Sequence, residues 1–209
     1  MTDAVNRLDL PLSDLVACFT SGDPCPGVGT AAGVAGAVAA GLIGMVAQIT
    51  CRNEEEPGFR DRATEIAGQA ATIGERLTRS IAEDARIFQR VIEARRARDA
   101  ADESEKEALA AKAVEALRPA IELPLEVAEA SLALAVLAKE LFDHGMRSAS
   151  SDARTAASLA LAGAESSLAA VTLNLEPFES DAWAVRKREE SARIWRQLLA
   201  LRDSLPAPV

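Results

Sequence analysis

Residues 31–50 carry no charged side chain, and this run constrains the fold more than any other part of the sequence. It consists mainly of Ala, Gly and Val, and its interior glycines are Gly33, Gly36, Gly41 and Gly44. Each glycine costs a helix about 1 kcal/mol relative to alanine, so something must approach the backbone closely, either another helix or a flat ligand. We predict a helix with Thr30 as its N-cap. A helix that is apolar all round must be covered on every side, in a bundle or in an oligomer seam.

The length of this run also matches a membrane span of about 20 residues. Its composition does not, because Leu, Ile and Phe are few and no Trp or Tyr lies at either end. Asp14 and Asp23 precede it, and it lies too far along the chain for a signal peptide. We therefore expect a buried helix and no membrane partner.

Length and composition favour one all-α domain that spans residues 1–209. A chain of 209 residues is long enough to bury a full core. Aromatic residues make up only 3% and Tyr is absent, so the core must be aliphatic. Runs rich in Val, Ile, Thr and aromatic residues, which are typical of strands, are absent from the sequence.

Charge and cysteine content argue against several classes of function. A net charge of −9 leaves no concentrated basic stripe for nucleic acid. Cys18, Cys25 and Cys51 form no CxxC pair, which favours a reduced, cytoplasmic protein. Because His144 is the sole histidine, we expect no zinc site built from protein ligands and predict metal-independent chemistry.

Apolar periodicity predicts a bundle of about six helices around the Ala/Gly-rich one. A helix beginning near Pro119 is expected to kink or restart at Pro124. A later helix, started by a capping cluster at residues 148–152, carries a row of small residues that is a natural mate for the central helix. The predicted helical segments are 12–19, 31–50, 59–101, 110–144, 148–174 and 178–204.

Three polar residues depart from these apolar patterns. Asp84 continues the three-and-four spacing of Leu77 and Ile81, so it occupies an apolar position, where a carboxylate is unfavourable unless it is paired. A hydroxyl or Arg of a neighbouring helix could satisfy it, or it could be a partly desolvated carboxylate suited to proton transfer. Asp152 can be read as an ordinary acid at a helix N-terminus, and Asn174 as a cap or a ligand-binding carboxamide.

Five segments occur in an order that is more specific than any one of them. They are Pro26-Gly27-Val28-Gly29-Thr30 before the Ala/Gly helix, Glu83-Asp84-Ala85, Pro124-Leu125-Glu126-Val127-Ala128, Ser151-Asp152-Ala153 and Val171-Thr172-Leu173-Asn174-Leu175. Together they resemble the cyclodeaminase/cyclohydrolase family, which includes the C-terminal domain of formiminotransferase-cyclodeaminase and the bacterial methenyltetrahydrofolate cyclohydrolases. The resemblance covers nearly the whole chain.

The resemblance implies an all-helical, usually homodimeric enzyme that opens or closes a C–N ring of a tetrahydrofolate derivative. A cyclohydrolase adds water to the cationic methenyl carbon, whereas a cyclodeaminase closes the ring of a formimidoyl group and releases ammonia. The enzyme would accordingly be a hydrolase or an ammonia lyase. Both reactions need acid–base groups in a dry slot and no metal.

The resemblance also implies roles for individual residues. Asp84 would be the catalytic acid or base, and Asp152 would be its catalytic partner or a pterin-binding group. The segment Pro26, Gly27, Val28, Gly29 and Thr30 would bind a substrate carbonyl or carboxylate through amides at a helix N-terminus. Asn174 would hydrogen-bond the heterocycle.

Three departures from the family pattern leave two other functions open. Val28 and Arg154 each stand where the family has glycine, and residues 51–56 replace a Lys-rich, Tyr-containing segment. One alternative is a repurposed relative that performs C–N cyclisation or related chemistry on another small molecule in specialised metabolism. The other is a non-catalytic helical binding or assembly protein.

Overall fold

The computed structural model describes residues 10–22, 27–52, 57–178 and 181–206, and confirms the predicted all-α bundle within these ranges. Single 3-10 turns lie at Pro57–Phe59 and Arg147–Ala149. The α-helices of the described residues are α1 (Leu12–Phe19), α2 (Val28–Cys51), α3 (Arg60–Asp99), α4 (Lys106–Glu115), α5 (Pro119–His144), α6 (Ser150–Asn174) and α7 (Ala182–Ser204).

The predicted helix start near Pro119 is confirmed. The predicted segment 110–144 contains the end of α4 and the whole of α5, which begins at Pro119, where its missing N–H has no helical bond to lose. Pro124 lies inside α5, which continues through it without a restart. Its ring nitrogen cannot donate to the carbonyl four residues earlier, that of Ala120.

α2 begins two residues before the predicted cap. Its N-cap is Gly27, with an extended backbone, so the prediction that Thr30 caps the helix is wrong. Thr30 lies instead in the first helical turn and is buried. Pro26 and Cys25 lie outside the described residues.

α2, α3, α5 and α6 form the core, while α4 packs on α3 and α7 packs on α5 and α6. Ion pairs join α3 to α5 at Arg62–Glu140, 2.7 Å apart, and at Arg76–Glu126, 2.8 Å apart. Because the later residue on α3 pairs with the earlier residue on α5, the two helices are antiparallel. The same register, continued for about two turns, places Asp84 level with Arg118.

Small residues bring three helices close to one another. A Cβ at Gly33 would lie 2.7 Å from Ile81 Cγ1, and one at Gly36 would lie 2.6 Å from Leu77 Cδ1. On α6, a Cβ at Gly163 would lie 3.1 Å from the carbonyl oxygen of Ala32. The predicted close packing of α2 against the small-residue row of α6 is therefore confirmed within one chain.

Within one chain α2 is left uncovered on its outer face, and the predicted alternative, that an oligomer seam covers it, stays a prediction. Nothing lies within 4 Å of a Cβ built on Gly41 or Gly44, and Val38 is 50% exposed. α2 and α6 are both long and apolar enough to cross a membrane, a criterion that core helices also meet, and 39% and 50% of their most apolar windows are buried. The outer side of α2 is an uncharged, exposed surface.

α1 matches its predicted bounds, but none of its residues is buried. Leu12 and Val16, on its apolar face, are 70% and 55% exposed.

Two glycine substitutions test the close packing. We expect Gly163→Ala to lower the free energy of unfolding by about 1–3 kcal/mol, because the new methyl group meets backbone atoms that cannot rotate away. Gly68 on α3 has open space at its Cβ position, so Gly68→Ala should raise the free energy of unfolding by up to about 1 kcal/mol through helix propensity. Urea unfolding measures both values. Equal effects of the two substitutions would contradict the described α2–α6 packing.

Candidate active site

The carboxylate of Asp84 lies directly against the first turn of α2. A Cβ built on Gly29 would be 2.1 Å from Asp84 Oδ1 and 2.5 Å from Oδ2, so only glycine leaves room for the carboxylate. Asp84 itself is half-buried. The apolar spacing on α3 therefore directs this side chain to the N-terminus of a neighbouring helix rather than into the aliphatic core.

The first turn of α2 offers hydrogen-bond donors and a partial positive charge. The first N–H groups of any α-helix lack partners within the helix, and its N-terminus favours negative charge. Gly27 has no side chain with which to cap these groups. Asp84 thus lies at the position where a cap or a bound anion is found in other proteins.

Thr30 adds a buried hydroxyl to the same turn. Its side chain is fully buried, and its Oγ1 has no hydrogen-bond partner among the described residues. An unpaired buried hydroxyl is unfavourable by about 1–3 kcal/mol, which is expected where a bound group supplies the partner. Val28, also part of the predicted binding segment, is 46% exposed at the start of the helix.

A cleft of about 240 Å³ opens between α3 and α5, and Asp84 is not among the residues that line it. Glu83, which precedes Asp84, and Ser80, one turn earlier, both line it, whereas the carboxylate of Asp84 faces α2. The residues around the cleft are Arg76, Leu77, Arg79, Ser80 and Glu83 of α3 and Leu123, Glu126 and Val127 of α5.

A larger groove of about 510 Å³ lies between α6 and α7. Trp195 stands on its rim and Leu168 on its floor, and none of the predicted site residues lines it. Size alone therefore does not identify the site.

Asn174 lies at the end of α6 and is bonded to α5. Its Nδ2 donates to the carbonyl oxygen of Ala120 at 2.8 Å. This is the carbonyl that Pro124 leaves without a helical donor. The carboxamide therefore replaces the missing backbone hydrogen bond and fastens the end of α6 to the first turn of α5. A contact of Asn174 with a heterocycle stays a prediction.

Asp152 is half-buried in the first turn of α6, and the structure does not bring it close to Asp84 within one chain. α6 runs antiparallel to α2, with Gly163 level with Ala32 and Gly36. At 1.5 Å per residue, Asp152 lies about 17 Å from that crossing, toward the C-terminal end of α2. Gly29 and Asp84 lie on the other side of the crossing, so more than about 20 Å separates the two carboxylates.

Arg118 joins three segments at the end of the bundle that holds Asp84. Its guanidinium donates to Glu115 at 2.6 Å and to Asp181 at 2.6 Å. It also stacks 4.3 Å from the ring centre of Trp183 and 5.2 Å from that of Phe178.

These contacts make the carboxyl groups of Glu115 and Asp181 more acidic. The hydrogen bond from Arg118 lowers the pKa of Glu115. The same guanidinium, together with the backbone N–H of Trp183, lowers the pKa of Asp181. Asp181 in turn accepts a hydrogen bond from Trp183 N at 2.7 Å and so caps α7. Sequence reasoning missed this cluster, although the Asp181-x-Trp183 pattern marks the helix start.

No group of three or more His, Cys, Asp or Glu side chains in the described part of the chain is placed to hold a metal ion. Metal independence stays a prediction.

The contact between Gly29 and Asp84 can be tested by a double-mutant cycle. Gly29→Ala places a methyl group where the carboxylate lies, so we expect the free energy of unfolding to fall by about 1–3 kcal/mol. In an Asp84→Ala background the same change should be nearly neutral, because the methyl group then occupies vacated space. Thermal unfolding of the four proteins gives the coupling energy. Purely additive effects would contradict the contact.

Comparison with known proteins agrees with this fold and with the predicted family. In sequence, the chain is 29% identical over 187 residues to a methenyltetrahydrofolate cyclohydrolase from Methylorubrum extorquens, covering 90% of this chain and 89% of the relative. In structure, it matches a formiminotetrahydrofolate cyclodeaminase from Thermotoga maritima with a TM-score of 0.80, 23% identity and 92% coverage of both chains. The family model for formiminotransferase-cyclodeaminase matches residues 11–193, and the chain therefore belongs to that family.

Proposed function

We propose that the protein is a methenyltetrahydrofolate cyclohydrolase. The observation that carries the proposal is the half-buried carboxylate of Asp84, held against the first turn of α2. Membership of the formiminotransferase-cyclodeaminase family and the similarity to a relative named as a cyclohydrolase support it.

In this reaction, water attacks the cationic methenyl carbon that bridges two nitrogens of the folate. The water oxygen forms the new C–O bond, one of the two C–N bonds then breaks, and an N-formyl product and one proton are released. A carboxylate beside the methenyl carbon stabilises its positive charge and can accept a proton from the attacking water. Asp84 is assigned this role.

The surroundings of Asp84 suit this chemistry. The N-terminus of α2 favours a negatively charged carboxylate at this position, which is the form that both attracts the cation and accepts a proton. Amide groups in the first turn of α2 that do not bond Asp84 would supply donors for a carbonyl or carboxylate of the substrate. The predicted role of this segment in substrate binding is retained in the proposal.

Cyclodeaminase activity is the second candidate. It requires a base for the attacking nitrogen and an acid for the leaving ammonia, and therefore two proton-transfer groups. Asp152 could be the second group only if another copy of the chain supplied it, because more than about 20 Å separates it from Asp84 within one chain.

A homodimer is part of the proposal. α2 carries no charged residue over Val28–Cys51, and its exposed Val38 and Met45 lie on the outer face. On the neighbouring α6, exposed Ala162 and Leu173 continue an uncharged surface. A chain with a net charge of −9 repels its own copies elsewhere, so a second copy fits best on this face.

The relative direction of the two α2 helices in such a dimer decides which residues of the second copy lie near the site. A twofold axis across the middle of α2 would pair it antiparallel with α2 of a second copy. The C-terminal end of the second α2, together with the nearby start of its α6, would then lie at the same end of the bundle as Gly29 and Asp84. This arrangement would bring the second copy's Asp152 toward the site as the proposed catalytic or pterin-binding partner.

Localisation in the cytoplasm is proposed as well. Cys18 and Cys51 are free and half-buried in the structure, in keeping with a reducing compartment.

Substitution of Asp84 tests the catalytic role. Asp84→Asn should lower kcat by about 10²- to 10⁴-fold, because the carboxamide is neutral and cannot accept the proton. The melting temperature should change little, since the carboxamide oxygen can still face α2. Loss of the methenyl absorbance, corrected for uncatalysed hydrolysis, measures the rate. Glu93→Gln is the control at an exposed position later on α3 that lines neither cavity, and it should keep full activity. Full activity of Asp84→Asn would refute the assignment, and a wild-type protein that neither binds nor converts the folate would refute the function.

Mixing two inactive variants tests the shared site. An equimolar mixture of Asp84→Asn and Asp152→Asn chains should recover about a quarter of the wild-type activity, because half of the dimers then contain one intact site of two. Adding Val38→Glu to both chains should abolish the recovery and give monomers in sedimentation velocity, whereas Gln69→Glu, an exposed change on α3, should do neither. Absence of recovery from mixed dimers would exclude a site shared between chains.

A further inference from the structure

The contacts of Arg118 resemble those of another arginine at the opposite end of the same helix pair. Arg62 on α3 donates through Nε and Nη2 to Glu140 of α5, both at 2.7 Å, and through Nη1 to Glu65 at 3.0 Å. Arg118 likewise bonds two acidic residues. The two clusters differ in position, because only Arg118 is level with Asp84.

One of the segments that meet at Arg118 forms a wall of the α3–α5 cleft. Arg118 is the N-cap residue of α5, whose early residues Leu123 and Val127 form one wall of the cleft. Phe178 follows α6, whose last residue, Asn174, is bonded to the first turn of α5. A shift of the guanidinium would therefore move one wall of the cleft relative to Asp84.

The aromatic rings of Phe178 and Trp183, over which the guanidinium of Arg118 lies, make this cluster rigid. A planar guanidinium between two carboxylates and two aromatic faces is fixed in orientation as well as in position. A lysine at the same position would keep the charge but could neither bond both acids in the plane nor stack flat on the indole.

We propose that Arg118 is a positioning residue for the Asp84 site. It holds the start of α5 against Phe178 and Asp181 and thereby sets the opening of the α3–α5 cleft. The inference deepens the proposed function and rests on it for the activity measurement, but not for the exchange measurement described below.

The test compares Arg118→Lys with Arg62→Lys, two conservative changes that each disrupt one cluster. Both should lower the melting temperature. With both variants assayed well below their melting temperatures, Arg118→Lys should lower kcat/KM by about tenfold or more, mostly through KM, because a wall displaced by a fraction of an ångström misplaces the substrate. Arg62→Lys should stay within about twofold of the wild type.

Hydrogen exchange gives a readout that does not depend on activity. Amides in residues 28–33, at the N-terminus of α2 beside Asp84, should exchange faster in Arg118→Lys than in the wild type, and at the wild-type rate in Arg62→Lys. Equal effects of the two substitutions on kcat/KM and on exchange would overturn the proposal and leave Arg118 with a purely structural role. If the wild type does not convert the folate, the proposed function fails, and the exchange comparison still decides the role of Arg118.

Discussion

The close approach of α3 and α6 to the backbone of α2 is the interaction on which the rest of the structure depends. At Gly33, Gly36 and Gly163 a single added carbon would collide with a neighbouring helix. Dispersion contacts fall off within less than an ångström, so these glycines let an aliphatic core with few aromatic side chains reach native density. They also fix the rotation of α2, which determines that Gly29 faces α3 and that Val38 and Met45 face outward.

The same packing explains why a carboxylate is tolerated at position 84. One turn beyond Ile81, which packs on Gly33, the neighbour of α3 is no longer the side of α2 but its N-terminal end. A helix end offers unpaired N–H groups and a partial positive charge instead of methyl groups. Asp84 therefore occupies an apolar position in the sequence pattern and a polar position in space. The proposed chemistry uses this contrast, since a fixed carboxylate can stabilise a positive charge on a substrate.

Pro124 and Asn174 are one structural unit, although the sequence separates them widely. The proline removes a backbone donor inside α5, and the carboxamide at the end of α6 supplies it at 2.8 Å. Arg118 adds a second connection between the same two regions through Asp181 and Phe178. The hydrogen bond of Asn174 and the contacts of Arg118 hold the end of the bundle that carries Asp84. At the opposite end of the bundle, Arg62 and Glu140 join α3 to α5.

Sequence by itself determined the helical class, the close-packed seam of α2 and α6, the bounds of α1 and the family, because each depends on local periodicity or on the order of short motifs. It also selected Asp84, since an acid on an apolar stripe is visible without a structure. It did not predict the true start of α2, the partner of Asn174 or the Arg118 cluster. Tertiary structure decided these, and it also placed Asp152 far from Asp84. The physical reason is that spacing along one helix fixes which residues share a face, whereas the angle and register between helices fix which faces meet.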